Sequence, residues 1–499
     1  MDILTLFVVM PVLTVIALML TKGQNNYRLV TLAGAVIQVG MAFNLLYQFL
    51  HLEVGPTMEQ PMVFMRDLMW FAPFNIHYLI GVDGISVLMI MLTSIIVMTG
   101  TFISWKVSDL PKEFFIWLIV LSSGVYGFFI SLDLFTMFVF YEIAVIPMYL
   151  LIGVWGTGPK EYSAMKLTLM LMGASALLLV SIFGLYMNSN PDAVGMVGLT
   201  FNILEIKQIA IPESAQIIFF PLAFVGFAVI GAFFPFHTWS PDGHASAPTA
   251  VSMLHAGVLM KLGGYGIFRI AMYLMPLGAH YWTVPFMILA VIGVSYGALS
   301  AIKQTDLKYI NAYSSVSHLG LVLLGLLMMN EIGWRGAMLQ SLSHGFITAL
   351  FFALIGIIYG RTHTRIVGKM GGLMTIMPVI GALYVIAGMA NLGLPMFSGF
   401  VAEMNIFVGA FEHTDLFHRV ITVIAVSSIV VTAVYILRVV GKMLMGPVMD
   451  EYKDLPPITW YEKTGTFILV LFSLLIGILP FFWIDIIDKA VAPFIQGII

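Results

Sequence analysis

Cysteine is absent from all 499 residues. That excludes disulfides, thiolate nucleophiles, Cys-ligated zinc and protein-ligated iron–sulfur clusters, so any redox chemistry belongs to a partner. Charge is almost as scarce: 22 Lys plus Arg and 25 Asp plus Glu make up 9% of the chain, against about 25% in soluble domains. With a net charge of −3 and no basic run, nothing offers a nucleic acid the cationic face it requires. Nucleotide-enzyme signatures are missing too, since there is neither a GxxxxGKS/T P-loop nor a strand-borne GxGxxG. Polar stretches are few, and the two longest, roughly 51 to 83 and 188 to 214, are too short to be catalytic domains.

What is present is apolar. Hydrophobic residues make up 60% of the chain and its mean hydropathy is +1.01, more than an aqueous core can hide, so lipid must be the remaining solvent. The expected fold class is an all-α polytopic membrane protein. Fourteen apolar runs of about spanning length occur near 3–20, 28–50, 84–105, 114–131, 133–155, 166–187, 215–236, 249–272, 283–302, 307–329, 335–360, 375–410, 417–441 and 464–487. The first has no basic flank or small-residue cleavage site and reads as a retained helix.

Loops after odd-numbered spans hold fourteen cations, and those on the opposite side hold six: Arg66, Lys207, Arg269, Arg335, Arg419 and Lys489. The positive-inside rule then puts both termini on the non-cytoplasmic side. Spans 7 and 12 are interrupted by Pro235 and Pro241 and by Gly393, Pro395 and Gly399. Such breaks survive in a bilayer only inside protein or beside water. Lying five spans apart, they suggest inverted five-span repeats, an arrangement that marks ion or substrate pathways. The chain divides accordingly into 1–113 (spans 1–3), 114–272 (spans 4–8), 273–445 (spans 9–13) and 446–499 (span 14).

A charge at the centre of a span costs roughly 2.5–3.5 kcal/mol, which makes intramembrane ionisable residues functional candidates. Glu142 on span 5, Lys261 on span 8 and Glu403 beyond the break of span 12 stand out; the alternative for each is an ion pair that only locks helices. His237, His255, His318 and His344 lie between them. Neutral imidazole accepts a proton at one nitrogen and releases it from the other, so it suits a relay, although each His fits a structural hydrogen-bonding role equally well. Asp242 and His244 are too small a set for a metal centre and read as a polar lining. No metal or cofactor site is expected in this chain.

The stretches FYEIAVIPMYLLIGVWG, PFHTWSPDGHASAPTAVSMLHAGVLMKLGGYGIFR, QTDLKYINAYSSVSHLGLVLLG, SLSHGFITALFF and NLGLPMFSGFVAE closely resemble the antiporter-like subunits of respiratory complex I. Among them the likeness is to the chain M type, the counterpart of mitochondrial subunit 4. It implies a proton-pumping membrane-arm subunit of NADH:quinone oxidoreductase, with fourteen helices and a hydrophilic axis through mid-membrane. By motif, Glu142, Lys261 and Glu403 resemble the family's ionisable residues of spans 5, 8 and 12. NAD, FMN, iron–sulfur clusters and quinone would belong to partner subunits, and chains of the L and N types would be neighbours in a bacterial plasma membrane. One departure stands out: the family's span 7 lysine, partner of the span 5 glutamate, falls at Ile230, and span 7 has no lysine. His255 is the expected substitute. Rival readings are a multi-subunit cation/proton antiporter or membrane-bound hydrogenase, a non-pumping spacer, and, weakest, a solute transporter.

Overall fold

In lipid every backbone polar group must be satisfied within its own segment, so long apolar runs become helices. The computed structural model describes residues 2–52, 56–57, 60–189, 198–209 and 211–495. Thirteen of its helices are long and apolar enough to cross a membrane. Two shorter ones, Pro378–Asn391 and Ser398–Phe411, follow one another where the broken twelfth run was expected. Together they account for the fourteen runs.

Burial is uneven and puts the site at the centre. Spans 3 (Gly84–Ile103), 8 (Thr249–Met272), 10 (Leu307–Leu327) and 11 (Glu331–Thr362) are enclosed by protein along nearly their whole length, whereas spans 1, 2, 6 and 13 leave most of their apolar surface outward. Small residues permit the close central packing. A Cβ on Gly345 of span 11 would stand 2.8 Å from the Gly257 carbonyl oxygen of span 8, so only glycine lets the two backbones cross there.

The scarce acids often serve as helix caps. Asp2, Asp83, Asp133, Asp306 and Asp415 each accept a backbone N–H in the first turn of the span that follows, satisfying donors that lipid cannot. Two of these caps repeat a second device. Beside Asp133, Leu134 N donates to Phe201 O and Ile203 N to Leu132 O; beside Asp306, Leu307 N donates to Arg365 O and Val367 N to Thr305 O, all at 2.9 Å. The start of span 5 is thereby clasped to the chain after span 6, and the start of span 10 to the chain after span 11.

Three features depart from the sequence reading. The polar segment 51–83 carries an antiparallel hairpin, Val63–Phe71 with Ile76–Val82, turned at Asn75 in the left-handed region. It docks on the start of span 5, where Leu132 N donates to Leu79 O. The segment 188–214 contains a short helix, Ile203–Gln208; its residues 190–197 and 210 lie outside those described. The run 464–487 is not one helix. It breaks at Leu479 between Trp460–Ile478 and Pro480–Ile495, because a proline in the second helix's first turn removes a backbone donor. Packed along spans 3 and 11, this last helix carries Asp488, whose Oδ1 lies 2.5 Å from Arg335 Nε.

Two cations counted as loop residues are interior. Arg269 is fully buried in span 8 and pairs with Asp83 at 2.6 Å. Arg361, at the end of span 11, makes a two-pronged pair with Glu462 of span 14 at 3.0 and 2.7 Å.

Candidate functional site

Span 7 (Glu213–Ile230) stops in the protein interior, and after a turn the chain resumes as the helix Trp239–Ser246. This puts His244 at the centre of the molecule, its ring between His255 (centroids 4.2 Å apart) and Phe352 (4.8 Å). His255 stacks on Trp239 at 4.9 Å. Neither ring nitrogen of either histidine has a hydrogen-bond partner among the described residues. Four unpartnered imidazole nitrogens at two fully buried positions are costly unless the site has a use for them.

His255 opens a π-turn, His255–Leu259, a widened helical turn frequent at functional sites. Beyond it the Lys261 ammonium folds back to donate to the Ala256 carbonyl. The same Nζ lies 2.7 Å from His344 Nδ1 on span 11, across the crossing that Gly257 and Gly345 allow. An ammonium there donates to the ring; a neutral amine accepts from it. One proton can therefore sit on either group. His344 Nε2 has no partner among the described residues, and its ring lies 5.6 Å from that of His318 on span 10.

His318 Nδ1 is contested. It lies 3.3 Å from Glu403 Oε1 and 3.3 Å from the Gln340 side-chain nitrogen. A protonated Nδ1 donates to the carboxylate, and a bare one accepts from the amide, so the proton's position selects the partner. Glu403 is buried at 5% exposure, against the break in span 12. Gly393 there has φ +65°, and a Cβ on it would meet Glu403 Oε2 at 2.8 Å. Glycine is required both for the backbone angle and for the approach of the carboxylate.

Five elements thus hold one row: His244 on the helix Trp239–Ser246, His255 and Lys261 on span 8, His344 on span 11, His318 on span 10 and Glu403 on the second helix of span 12. Of the residues singled out in the sequence, Lys261, His255, His318, His344 and Glu403 come together in it. Glu142 stands apart on span 5, half-buried, with Oε1 unpartnered among the described residues and Ser175 as its polar neighbour. No ion pair of Glu142 occurs among the described residues. Ile230 is fully buried at the end of span 7 in an apolar setting. His255 touches His244 and Trp239 rather than Glu142. His237 lies in the break of span 7, against Tyr296 and Phe234, off the row.

Sequence reasoning missed His244 and Gln340. His244 lies in a Pro- and Ser-rich stretch that looks like a loop, and no spacing rule places it on His255 across Ala247 and Pro248. Missed too was a polar cluster where Asn391, at the lip of the second break, donates to Ser314 (3.2 Å) and Tyr435 (3.3 Å).

Residues 131–431 match the family described as NADH:quinone oxidoreductase/Mrp antiporter, transmembrane. The chain is 36% identical over 441 residues to NADH-quinone oxidoreductase subunit M of Rhodobacter capsulatus, covering 87% of this chain and 85% of that protein. In fold it is similar to a chain of respiratory complex I from Thermus thermophilus with bound NADH, at TM-score 0.88 and 24% identity, covering 99% of each chain. It is likewise similar to a chain of the Mrp complex from Dietzia sp. DQ12-45-1b, at TM-score 0.84 and 21% identity, covering 99% of this chain and 98% of that one.

Proposed function

From the premise that this chain belongs to the NADH:quinone oxidoreductase/Mrp antiporter transmembrane family, we propose that it is the proton-translocating M-type subunit in the membrane arm of an NADH:quinone oxidoreductase. The observation that carries the reading is the buried row from Lys261 through His344 and His318 to Glu403, in which Lys261 Nζ lies 2.7 Å from His344 Nδ1, the two imidazole rings lie 5.6 Å apart and His318 Nδ1 lies 3.3 Å from Glu403 Oε1. Protonation of Lys261 and ionisation of Glu403 alternate in this scheme, and the imidazoles carry the proton between them. Glu142 serves as the separate acid of the first half, and the two broken spans line the approaches. His255 acts with His244 as a relay on the Lys261 side, and not as a cation for Glu142, since its ring contacts lie there.

Moving one charge against 100 mV costs about 2.3 kcal/mol, so the driving force comes from quinone reduction in other subunits. Those subunits hold NAD, FMN, iron–sulfur clusters and quinone; L- and N-type chains adjoin this one in a bacterial plasma membrane, with both termini on its non-cytoplasmic face. The boundaries 114–272 and 273–445 delimit two inverted halves, a division supported by the matching clasps at Asp133 and Asp306.

Glu403→Gln keeps the side chain's shape and removes its charge. In the assembled complex, proton translocation is expected to fall by about tenfold, equivalent to ~1.4 kcal/mol on the rate-limiting barrier, with the amount of assembled complex unchanged. Normal pumping by this variant would favour the spacer reading instead. The fold is shared with an Mrp complex, and antiport in place of quinone-driven pumping would show as a requirement for Na⁺ with no dependence on NADH.

A further inference from the structure

A stripe of polar residues leads to the row from the cation-rich face of the molecule. Span 10 begins on that face, and along it Lys308, Asn311, Ser314, Ser315 and His318 recur at three- and four-residue spacing, which puts them on one side of the helix. All five are buried. At 1.5 Å per residue the stripe climbs about 15 Å, from the start of the span to the row. At its foot Lys308 Nζ donates to Ala247 O at 2.5 Å, beside the partly exposed pair of Arg365 and Asp306. One turn up, Asn311 Nδ2 is buried and has no hydrogen-bond partner among the described residues. Such orphaned groups are where internal water ordinarily binds.

The next turn carries the polar triad of Ser314, Tyr435 on span 13 and Asn391 at the break of span 12. Ser314 Oγ and Tyr435 Oη lie 2.7 Å apart, and either can be the donor. The Asn391 amide donates to both oxygens, at 3.2 and 3.3 Å. Its two N–H groups are thereby spent, and one hydroxyl proton is spent between the pair, so the other hydroxyl proton points out of the triad. Which oxygen carries it is open in both directions. Ser314 stands one turn before His318 on the same helix, and Tyr435 lies within electrostatic reach of Glu403. A clamp that only fastened the break would need neither the unpartnered Asn311 nor an unspent proton.

We propose that Ser314 and Tyr435, oriented by Asn391, feed protons from the cation-rich face to His318 and Glu403. Each hydroxyl oxygen takes a proton from water on the Asn311 side and gives up its own to the next acceptor. One O–H bond breaks for each O–H or N–H bond that forms, and the hydroxyls end as they began. Asn391 is a positioning residue. The inference rests on reading Glu403 as a proton carrier.

The test uses the whole complex in proteoliposomes, with NADH-driven proton translocation and the amount of assembled complex as readouts. Ser314→Thr and Ser314→Val have nearly the same shape and differ in the hydroxyl. The valine variant and Tyr435→Phe are expected to pump about tenfold more slowly than the threonine variant, with equal assembly. Equal pumping by the Thr and Val variants, or wild-type pumping by Tyr435→Phe, would overturn the feeder. Glu403→Gln separates the two readings: if it pumps normally, the carrier reading itself fails, whereas impaired Glu403→Gln beside equal Thr and Val variants sinks the feeder alone. If the variants do not assemble, an electron cryo-microscopy map of the wild-type complex that resolves water decides. Water against Asn311 Nδ2 that continues to Ser314 is expected, and a dry gap there overturns the proposal.

Discussion

In the proposed scheme the chemistry of the first half turns on Lys261 and Ile230. Lys261 has an imidazole and not a carboxylate as its partner, so a proton shared between them is not held in an ion pair. Ile230 stands where the resemblance implies a lysine, and Glu142 has no cation paired with it among the described residues. If Glu142 is ionised during the cycle, Ile230→Lys should be tolerated, because a carboxylate offsets the roughly 2.5–3.5 kcal/mol of an intramembrane charge. The same change with Glu142→Gln should block assembly. Blue-native gels of the two strains check this, and equal assembly of both would sink it. That Lys261 and Glu403 are intramembrane charges was legible from the sequence because charges are rare there, and both are buried. That Lys261 meets His344 and Glu403 meets His318 was not legible, since polar residues on apolar helices give no sign of which neighbour they face.

At the scale of elements, breaks and bulges place the groups. The stop after Ile230 frees a segment to turn inward with His244, the π-turn at 255–259 lets Lys261 double back, and the break at Gly393 admits Glu403. The C-terminal helix Pro480–Ile495 covers another interior charge, since Phe494 lies 4.7 Å from the Arg269 guanidinium carbon. Arg269 and Asp83 are both 0% exposed. Removing one partner strands the other, so Asp83→Asn is expected to destabilise span 8 against span 3 by about 3–5 kcal/mol. Asp83→Asn with Arg269→Leu should recover most of that loss. Thermal unfolding of the two variants in detergent measures the difference, and no recovery in the double variant would mean the pair is not the cause. Proline and glycine announced both breaks in the sequence. The π-turn, built from the unremarkable string HAGVL, announced nothing.

Across the whole molecule, the halves meet through few polar links. The row crosses between them at Lys261 and His344, and the loops of the second half grip the inner helix of the first. Arg365 donates to Ala245 O at 2.6 Å and pairs with Asp306 at 3.1 Å, while Lys308 donates to Ala247 O at 2.5 Å. The second half therefore holds His244 against His255. Arg365→Ala should raise hydrogen–deuterium exchange across 239–247 and leave 134–155 as it was. Unchanged exchange at 239–247 would show that the grip is not made by this residue.

By itself the sequence determined the membrane class, the run of spans, the two breaks and the intramembrane charges, because lipid penalises every polar group that lacks a reason to be there and so leaves the reasons exposed. The tertiary structure alone decided which charges meet. Arg269 and Arg361, indistinguishable from loop cations in a linear count, became buried pairs, and His244, apparently a loop residue, became part of the row. Such contacts join residues distant in the chain, and they depend on helix crossings set by packing at a few glycines, for which a one-dimensional pattern carries no coordinate.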